Sequence, residues 1–220
     1  MVKQPKPKPK PVQQDDETAQ RILEAARTVF LRRGTSGARM QEIAQEAGVN
    51  QALLHYYFRS KEGLSTAVFQ QIASRIFPAL VQILGADITL DEKIDKLIAL
   101  YLDGLSRNPF LPGYLLSELH HHPERVSQLL ASAIGAEPGR VMPPLFAKLG
   151  KQIDERVAAG TMRPIAPEQF AINLVSLCIF PFAARPMLRV IFGMDDPAFA
   201  RFIEQRKTEL PAFFRNALRP

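Results

Sequence analysis

The sequence predicts an all-α protein of about nine helices behind a short N-terminal tail. Three observations carry that expectation. Apolar residues recur at i, i+3, i+4 and i+7 along most of the chain, capping residues and glycines punctuate those stripes, and no segment of any length alternates with the period of a strand. A chain of 220 residues can form one large domain, or a small domain joined to a larger one. Hydrophobic residues at 46% and charged residues at 23% exclude a chain disordered throughout.

Residues 1–15 are expected to form a disordered Lys/Pro-rich tail, because Lys3, Lys6, Lys8 and Lys10 alternate with Pro5, Pro7, Pro9 and Pro11. Its simplest role is solubilising, and an arm lying along DNA is the sharper alternative. The net charge is +6, of which residues 1–65 hold +4 (eleven Lys/Arg against seven Asp/Glu). Such an excess points to nucleic acid or an anionic surface as a partner.

The first helix is expected over Thr18 to Arg33. Asp15, Asp16, Glu17 and Thr18 suit its N-terminus, Ile22, Ala25, Ala26, Val29 and Phe30 form its apolar stripe, and Gly34 suits the turn beyond its end. Met40, Ile43, Ala44 and Ala47 form a second stripe, closed by Gly48. Asn50 is a good N-cap for a third helix, Gln51 to Phe58, with Leu54 and Phe58 turned inward, and Ser60 can cap a fourth from Lys61. Leu64, Val68 and Ile72 open that fourth helix, which Pro78 is expected to kink or end. Thr89 to Glu92 matches a reciprocal capping box ahead of a stripe of Ile94, Leu97, Ile98, Tyr101 and Leu105. Helices follow over Tyr114 to His121 and Pro123 to about Ala133, then one entered through Pro138, Pro143 and Pro144 and ending near Ala159 and Gly160. Pro167 suits the first turn of a helix holding the apolar stretch Phe170 to Ala184, and Asp195, Asp196 and Pro197 open the last.

Two short helices joined by a Gly-containing turn form the helix-turn-helix pattern, in which the second helix enters the major groove. The third helix has suitable chemistry: Gln51 can pair bidentately with adenine, Ala52 and Leu53 can meet a thymine methyl, and His55, Tyr56 and Tyr57 add aromatic faces with polar tips. Lys61, next to the amides that open the fourth helix, suits a phosphate. An Ala-Gly-Val turn also joins helices in proteins without DNA, and either tyrosine can simply complete a core.

The residues ILEAARTVFLRRG and MQEIAQEAGVNQALLHYYFRSKEGL resemble the DNA-binding domain of the TetR family of bacterial repressors, without gaps from Ile22 to Val68. The resemblance implies that Gln51, Ala52, His55 and Tyr56 lie at recognition-helix contacts, that Gln41 reaches DNA from the second helix, and that Tyr57 and Lys61 meet phosphates. Asn50 and Arg39 complete the DNA-contact set. Where the family often has Thr and Ser before the second helix, this chain has Ala38 and Arg39, losing a hydroxyl cap and gaining a guanidinium. The implied organisation is a helix-turn-helix domain over 16–62 and a larger helical effector-binding and dimerisation domain over 63–220.

In such proteins the last two long helices of two subunits pack as a four-helix bundle, which suggests Phe170, Leu174, Leu177, Cys178, Phe202 and Phe213 for a dimer interface. A helix apolar all round also needs cover on every side, although one protomer's core can supply it. Phe110, Tyr114, His121, Met142, Phe146 and Phe180 are the candidate effector contacts, for an apolar or amphipathic ligand. Each of them taken singly suits a core.

The expected function is a homodimeric repressor that binds a palindromic operator in double-stranded DNA and leaves it when a small effector binds. The two reading heads would then lie roughly 34–36 Å apart on DNA, with the fourth helix as the lever and a coupling of about 1–3 kcal/mol. No cofactor is expected, and no metal site. The single cysteine, Cys178, rules out an internal disulfide or a Cys-rich zinc site, and three successive histidines, His120 to His122, do not converge on one ion. Phe170 to Ala184 is too short and too interrupted to span a bilayer, and the basic N-terminus has no apolar stretch behind it, so a cytoplasmic protein without a membrane partner is expected. The alternatives are a helical enzyme, for which no paired carboxylates or nucleophile–base arrangement is found, and an interaction or membrane-surface protein without DNA binding.

Overall fold

The computed structural model describes residues 12–121 and 123–220. Among them are eleven helices and no strand: α1 (Val12–Gly37), α2 (Met40–Glu46), α3 (Gln51–Phe58), α4 (Lys61–Gly85), α5 (Leu90–Arg107), α6 (Leu111–His121), α7 (Pro123–Ile134), α8 (Pro138–Ala158), α9 (Pro167–Ala183), α10 (Arg185–Phe192) and α11 (Asp196–Ala217). The all-α class is as expected, and the helix count is higher. The unforeseen element is α10, a short amphipathic helix that buries none of its residues and follows α9 across the single residue Ala184.

Residues 1–11 of the expected tail lie outside the described residues. Its last four, Val12 to Asp15, belong to α1, which starts six residues before Thr18. Asp15 lies in its first turn, near the positive end of the helix dipole. Gly34 interrupts α1 at φ 70° and ψ 167°, in the positive-φ region that favours glycine. Pro78 does not end α4, which runs through it.

The chain divides into two compact units, Met1–Val68 and Phe69–Pro220, six residues beyond the expected boundary and inside α4. In the first unit the core consists of Ile22, Ala26, Val29 and Phe30 from α1, Ile43 and Ala44 from α2, Leu54 from α3, and Leu64 and Val68 from α4. Burying each of the large side chains is worth about 1.5–3 kcal/mol. Leu54 is wholly inside, whereas Phe58 is only half-buried.

The corner between α3 and α4 is tight. Arg59 has φ 60° and ψ −50°, and the Ser60 N–H donates to the Phe58 carbonyl at 2.6 Å, closing a three-residue turn. The Ser60 hydroxyl accepts the Gly63 N–H at 3.1 Å, as expected of a cap. A Cβ on Gly63 would lie 2.4 Å from the Phe58 carbonyl oxygen, so only glycine fits there. Nearby, the Lys61 ammonium donates to the carbonyls of Ser36 (2.9 Å) and Ala38 (3.3 Å), tying the α1–α2 connection to α4.

In the second unit α5 is central, packing along both α9 and α11. Its buried Leu90, Ile94, Leu97, Ile98, Leu102 and Leu105 meet a core that includes Phe170, Leu174, Cys178 and Phe182 of α9 and Phe199, Ile203, Leu210 and Phe214 of α11. The pairs Phe170–Phe214 (5.1 Å) and Phe182–Phe199 (5.7 Å), with the Leu177 carbonyl accepting from Arg206 Nη2 at 2.8 Å, make α9 and α11 antiparallel neighbours. Two lysines hold the end of α4. The fully buried Lys93 donates to the Leu84 carbonyl at 2.6 Å, and Lys148 to the Gly85 carbonyl at 2.6 Å. Cations suit a helix C-terminus, although burial pushes the Lys93 ammonium below its ordinary pKa.

The expected capping box is present. Thr89 Oγ1 accepts from the Glu92 N–H at 3.2 Å, and the Glu92 carboxylate accepts from the Thr89 N–H and hydroxyl, both at 2.8 Å. These hydrogen bonds hold the Glu92 carboxyl below the usual carboxylate range.

Two outcomes follow from this geometry. Thr89→Ala is expected to cost about 1 kcal/mol in urea unfolding at neutral pH. Because the Glu92 pKa is depressed in the folded state, its contribution is complete above the ordinary carboxylate range and fades as pH falls through the folded value, so the loss on Thr89→Ala should shrink in acid. Gly63→Ala is expected to destabilise the first unit by about 1–3 kcal/mol, since a backbone oxygen cannot move aside as a side-chain tip can. Arg59→Gly should shift stability the opposite way, by up to about 1 kcal/mol, in the same far-UV unfolding measurement.

Candidate nucleic-acid interface and ligand cavity

The chain enters α3 through Asn50, whose Oδ1 accepts the Leu53 N–H at 2.7 Å. Asn50 is thus an N-cap, with its carboxamide oxygen already engaged. Leu54 anchors one face of α3 in the core, and that choice of face turns Gln51, Ala52, His55 and Tyr56 outward. Tyr56 is 74% exposed, unusual for a large aromatic side chain.

His55 is fixed by its own helix end. Its Nδ1 lies 2.9 Å from the Arg59 carbonyl, which can only accept, so Nδ1 carries the proton. In the neutral ring Nε2 is then an acceptor, 3.5 Å from Gln51 Nε2. That leaves the Gln51 carboxamide oxygen open to a donor. The two side chains form one hydrogen-bonding surface on the outer face of α3.

Two expected phosphate contacts are occupied within the fold. The Tyr57 hydroxyl donates to Asp15 Oδ1 at 2.9 Å, and burial followed by this carboxylate raises its pKa. Lys61 clasps the α1–α2 connection, as described above. Both polar ends are drawn inward because α1 starts earlier than expected and because the loop before α2 offers bare carbonyls. Arg39 and Gln41 are exposed, and no side chain caps α2, in keeping with the loss of a hydroxyl at Ala38 and Arg39. Arg59, exposed at the end of α3, is a further cation with no ion pair among the described residues. Nothing in the sequence pattern marks it, since only the backbone path places it beside the outer face of α3.

The folded head carries no charge excess. Residues 12–68 contain seven Lys/Arg and seven Asp/Glu, so the +4 of the first 65 residues resides in Lys3, Lys6, Lys8 and Lys10. Arg32 pairs with Glu46, and Arg33 with Glu42 at 3.5 Å, offsetting both acidic groups of α2.

The second unit contains a cavity of about 110 Å³ between α4, α5, α8 and α9. Leu80, Leu84, Leu97, Tyr101, Met142, Phe146, Leu149, Phe170, Ala171, Leu174 and Val175 line it. Of the expected effector residues, Met142 and Phe146 come together here and the other four do not. Tyr114 is buried against Phe69 (5.5 Å), and Phe110 is half-buried beyond the end of α5. His121 is exposed, its Nδ1 donating to the Ser117 carbonyl at 2.8 Å, and Phe180 is exposed on α9. Tyr101 went unassigned as a ligand contact, although a lone phenol in the apolar stripe of α5 was its signal.

Three of the residues expected at a dimer interface are buried inside one protomer. Phe170, Leu174 and Cys178 pack inward, because the α9 face they share is the one applied to α5. Burial pushes the Cys178 thiol up to about 12, which suits a small apolar residue and not a reactive thiolate. Leu177 and Phe202 are half-buried, and Phe213 is 60% exposed. The outward apolar residues in this region are Ile172, Phe180 and Phe213, with Met187, Val190, Ile191 and Phe192 of α10. Among the described residues no group of three or more His, Cys, Asp or Glu side chains is arranged to hold a metal; His122 lies outside them.

Comparison with known proteins agrees with this geometry. The family model described as bacterial regulatory proteins, tetR family, matches residues 22–68. The HTH-type transcriptional repressor NicS of Pseudomonas putida KT2440 is 29% identical over 186 residues, covering 83% of this chain and 84% of NicS. The HTH-type transcriptional regulator RutR of Escherichia coli K12 is 32% identical over 154 residues, 67% of this chain and 65% of RutR. In fold, the chain is similar to HlyIIR, a hemolysin II transcriptional regulator, with a TM-score of 0.57 at 21% identity, covering 94% of this chain and 99% of that one. It is likewise similar to a TetR/AcrR-family regulator from Thermobifida fusca, with a TM-score of 0.56 at 19% identity, covering 89% and 97%. With a helix-turn-helix whose second helix turns Gln51, His55 and Tyr56 outward, the chain belongs to the TetR family and is a DNA-binding transcriptional regulator.

Proposed function

We propose that the protein is a repressor that reads a palindromic operator as a homodimer and releases it when a small, mostly apolar effector enters the cavity of the second unit. The observation that carries the reading is the outer face of α3, where Gln51 and His55 share one hydrogen-bonding surface beside the exposed Tyr56. Gln51 suits adenine, Ala52 a thymine methyl, and Arg39 and Arg59 suit phosphates on either side. Tyr57 and Lys61 act one step back, holding α3 and the α1–α2 connection in place. NicS, itself named a repressor, supports the direction of regulation. A chain that acts on the chromosome works in the cytoplasm.

Dimerisation is supported by the apolar residues that one protomer leaves uncovered. Ile172 and Phe180 on α9 and Phe213 on α11 belong to two antiparallel helices, and a two-fold related copy of that pair completes a four-helix arrangement. The interface is therefore assigned to this outer face and not to Phe170, Leu174 and Cys178.

The head is tested with DNA from upstream of its own gene in gel-shift titrations. Gln51→Ala and Tyr56→Ala should each weaken specific binding roughly 5–150-fold, at about 1–3 kcal/mol per lost base contact, with unchanged melting temperature and unchanged binding to random DNA. Equal losses on both DNAs would refute base reading by this face. For the interface, Ile172→Arg with Phe213→Glu should give a folded monomer by analytical ultracentrifugation, with operator affinity reduced at least tenfold. A variant that remains dimeric places the interface elsewhere.

A further inference from the structure

The cavity walls are apolar with one exception. Leu97, Met142, Phe146, Leu149 and Leu174 present carbon and one thioether sulfur, no charged side chain reaches the lining, and Tyr101 contributes the only hydroxyl. No hydrogen bond among the described residues engages that hydroxyl. Tyr101 is half-buried yet strongly desolvated, with its pKa driven upward by burial. A buried water needs two to four polar partners, and this hollow supplies one, so water is a poor occupant. The half-buried phenol of Tyr101 is the polar group that this hollow can offer an occupant, as ligand pockets typically offer a few polar groups in an apolar wall.

We infer that this cavity is the site of a single-ring aromatic molecule bearing one hydrogen-bonding group, of which phenol is the simplest, with Tyr101 as its polar contact. The inference rests on the effector reading above and narrows its ligand class. The volume of about 110 Å³ is of the order of a cavity that takes benzene, roughly 150 Å³, and the unbranched Met142 side chain can yield the remaining room. A carboxylate or ammonium is excluded, since no opposite charge lines the wall to offset its desolvation. A ligand with polar groups at both ends is likewise disfavoured, because its second end would meet only carbon. Leu80 and Leu84 of α4 form part of the wall, so an occupant presses directly on the helix that begins at Lys61.

The test uses the full chain, phenol and benzene as probes, and isothermal titration beside a gel-shift with upstream DNA. Tyr101→Phe removes a single oxygen and should leave the fold intact, as checked by circular dichroism. The expected result is phenol binding at least tenfold tighter to the native chain than to Tyr101→Phe, benzene binding equal in both, and operator release by phenol from the native chain alone. If phenol binds both chains alike, the assignment of Tyr101 is overturned. If neither probe binds a chain that still holds the operator, the ligand class is overturned and the regulator reading stands. If phenol binds through Tyr101 and leaves operator affinity unchanged, the effector reading falls and the site remains.

Discussion

Between Gly63 and the carbonyl of Phe58 there is no room for a methyl group, and the placement of α3 depends on that contact. The close approach lets α4 start at once after α3, with Arg59 driven to positive φ and its carbonyl turned toward His55. His55 is then held in one tautomer with Nε2 facing Gln51. A strained turn thus sets the hydrogen-bonding pattern on the outer face of α3. Strain of this kind costs about 1–3 kcal/mol and persists where the surrounding structure over-determines it. Here Leu54 below and the Lys61 clasp alongside do so.

Lysine is used in this chain as much for holding backbone as for carrying surface charge. Lys61 holds the connection before α2, while Lys93 and Lys148 hold the last carbonyls of α4. The free carbonyls at a helix end need partners when buried, and an ammonium with three donors can satisfy them where no Schellman turn does. Burying Lys93 is costly, and its lowered pKa is the sign of that cost. Its carbonyl contact is charge-assisted, which offsets part of it. The folded head is electrically neutral for a separate reason, since residues 12–68 balance seven Lys/Arg against seven Asp/Glu.

The second unit separates its apolar surface into three parts. One face of α9 joins α5 in the core, a small hollow with a single phenol lies among α4, α5, α8 and α9, and the outer faces of α9, α10 and α11 remain uncovered. Phe170 and Leu174 serve the first two, which is why they are unavailable to a partner. Phe180, further along α9, and Phe213 on α11 are exposed instead.

Much of this protein was legible before any coordinates. The helix-turn-helix, the Asn50, Ser60 and Thr89 caps, the capping box at Glu92 and the outward set Gln51, Ala52, His55 and Tyr56 all follow from local rules, because caps and stripes are properties of residues within a few positions of one another. What only the tertiary structure decided are the matters that join distant residues. Tyr57 met Asp15 across 42 positions, Lys93 was drawn inside, Phe170 and Cys178 faced their own core, and Met142 joined Tyr101 around one hollow. An apolar stripe states that a face will be buried, and a polar tip states that it will find a partner. Neither states which face or partner it meets, since that is set by the packing of whole helices against one another.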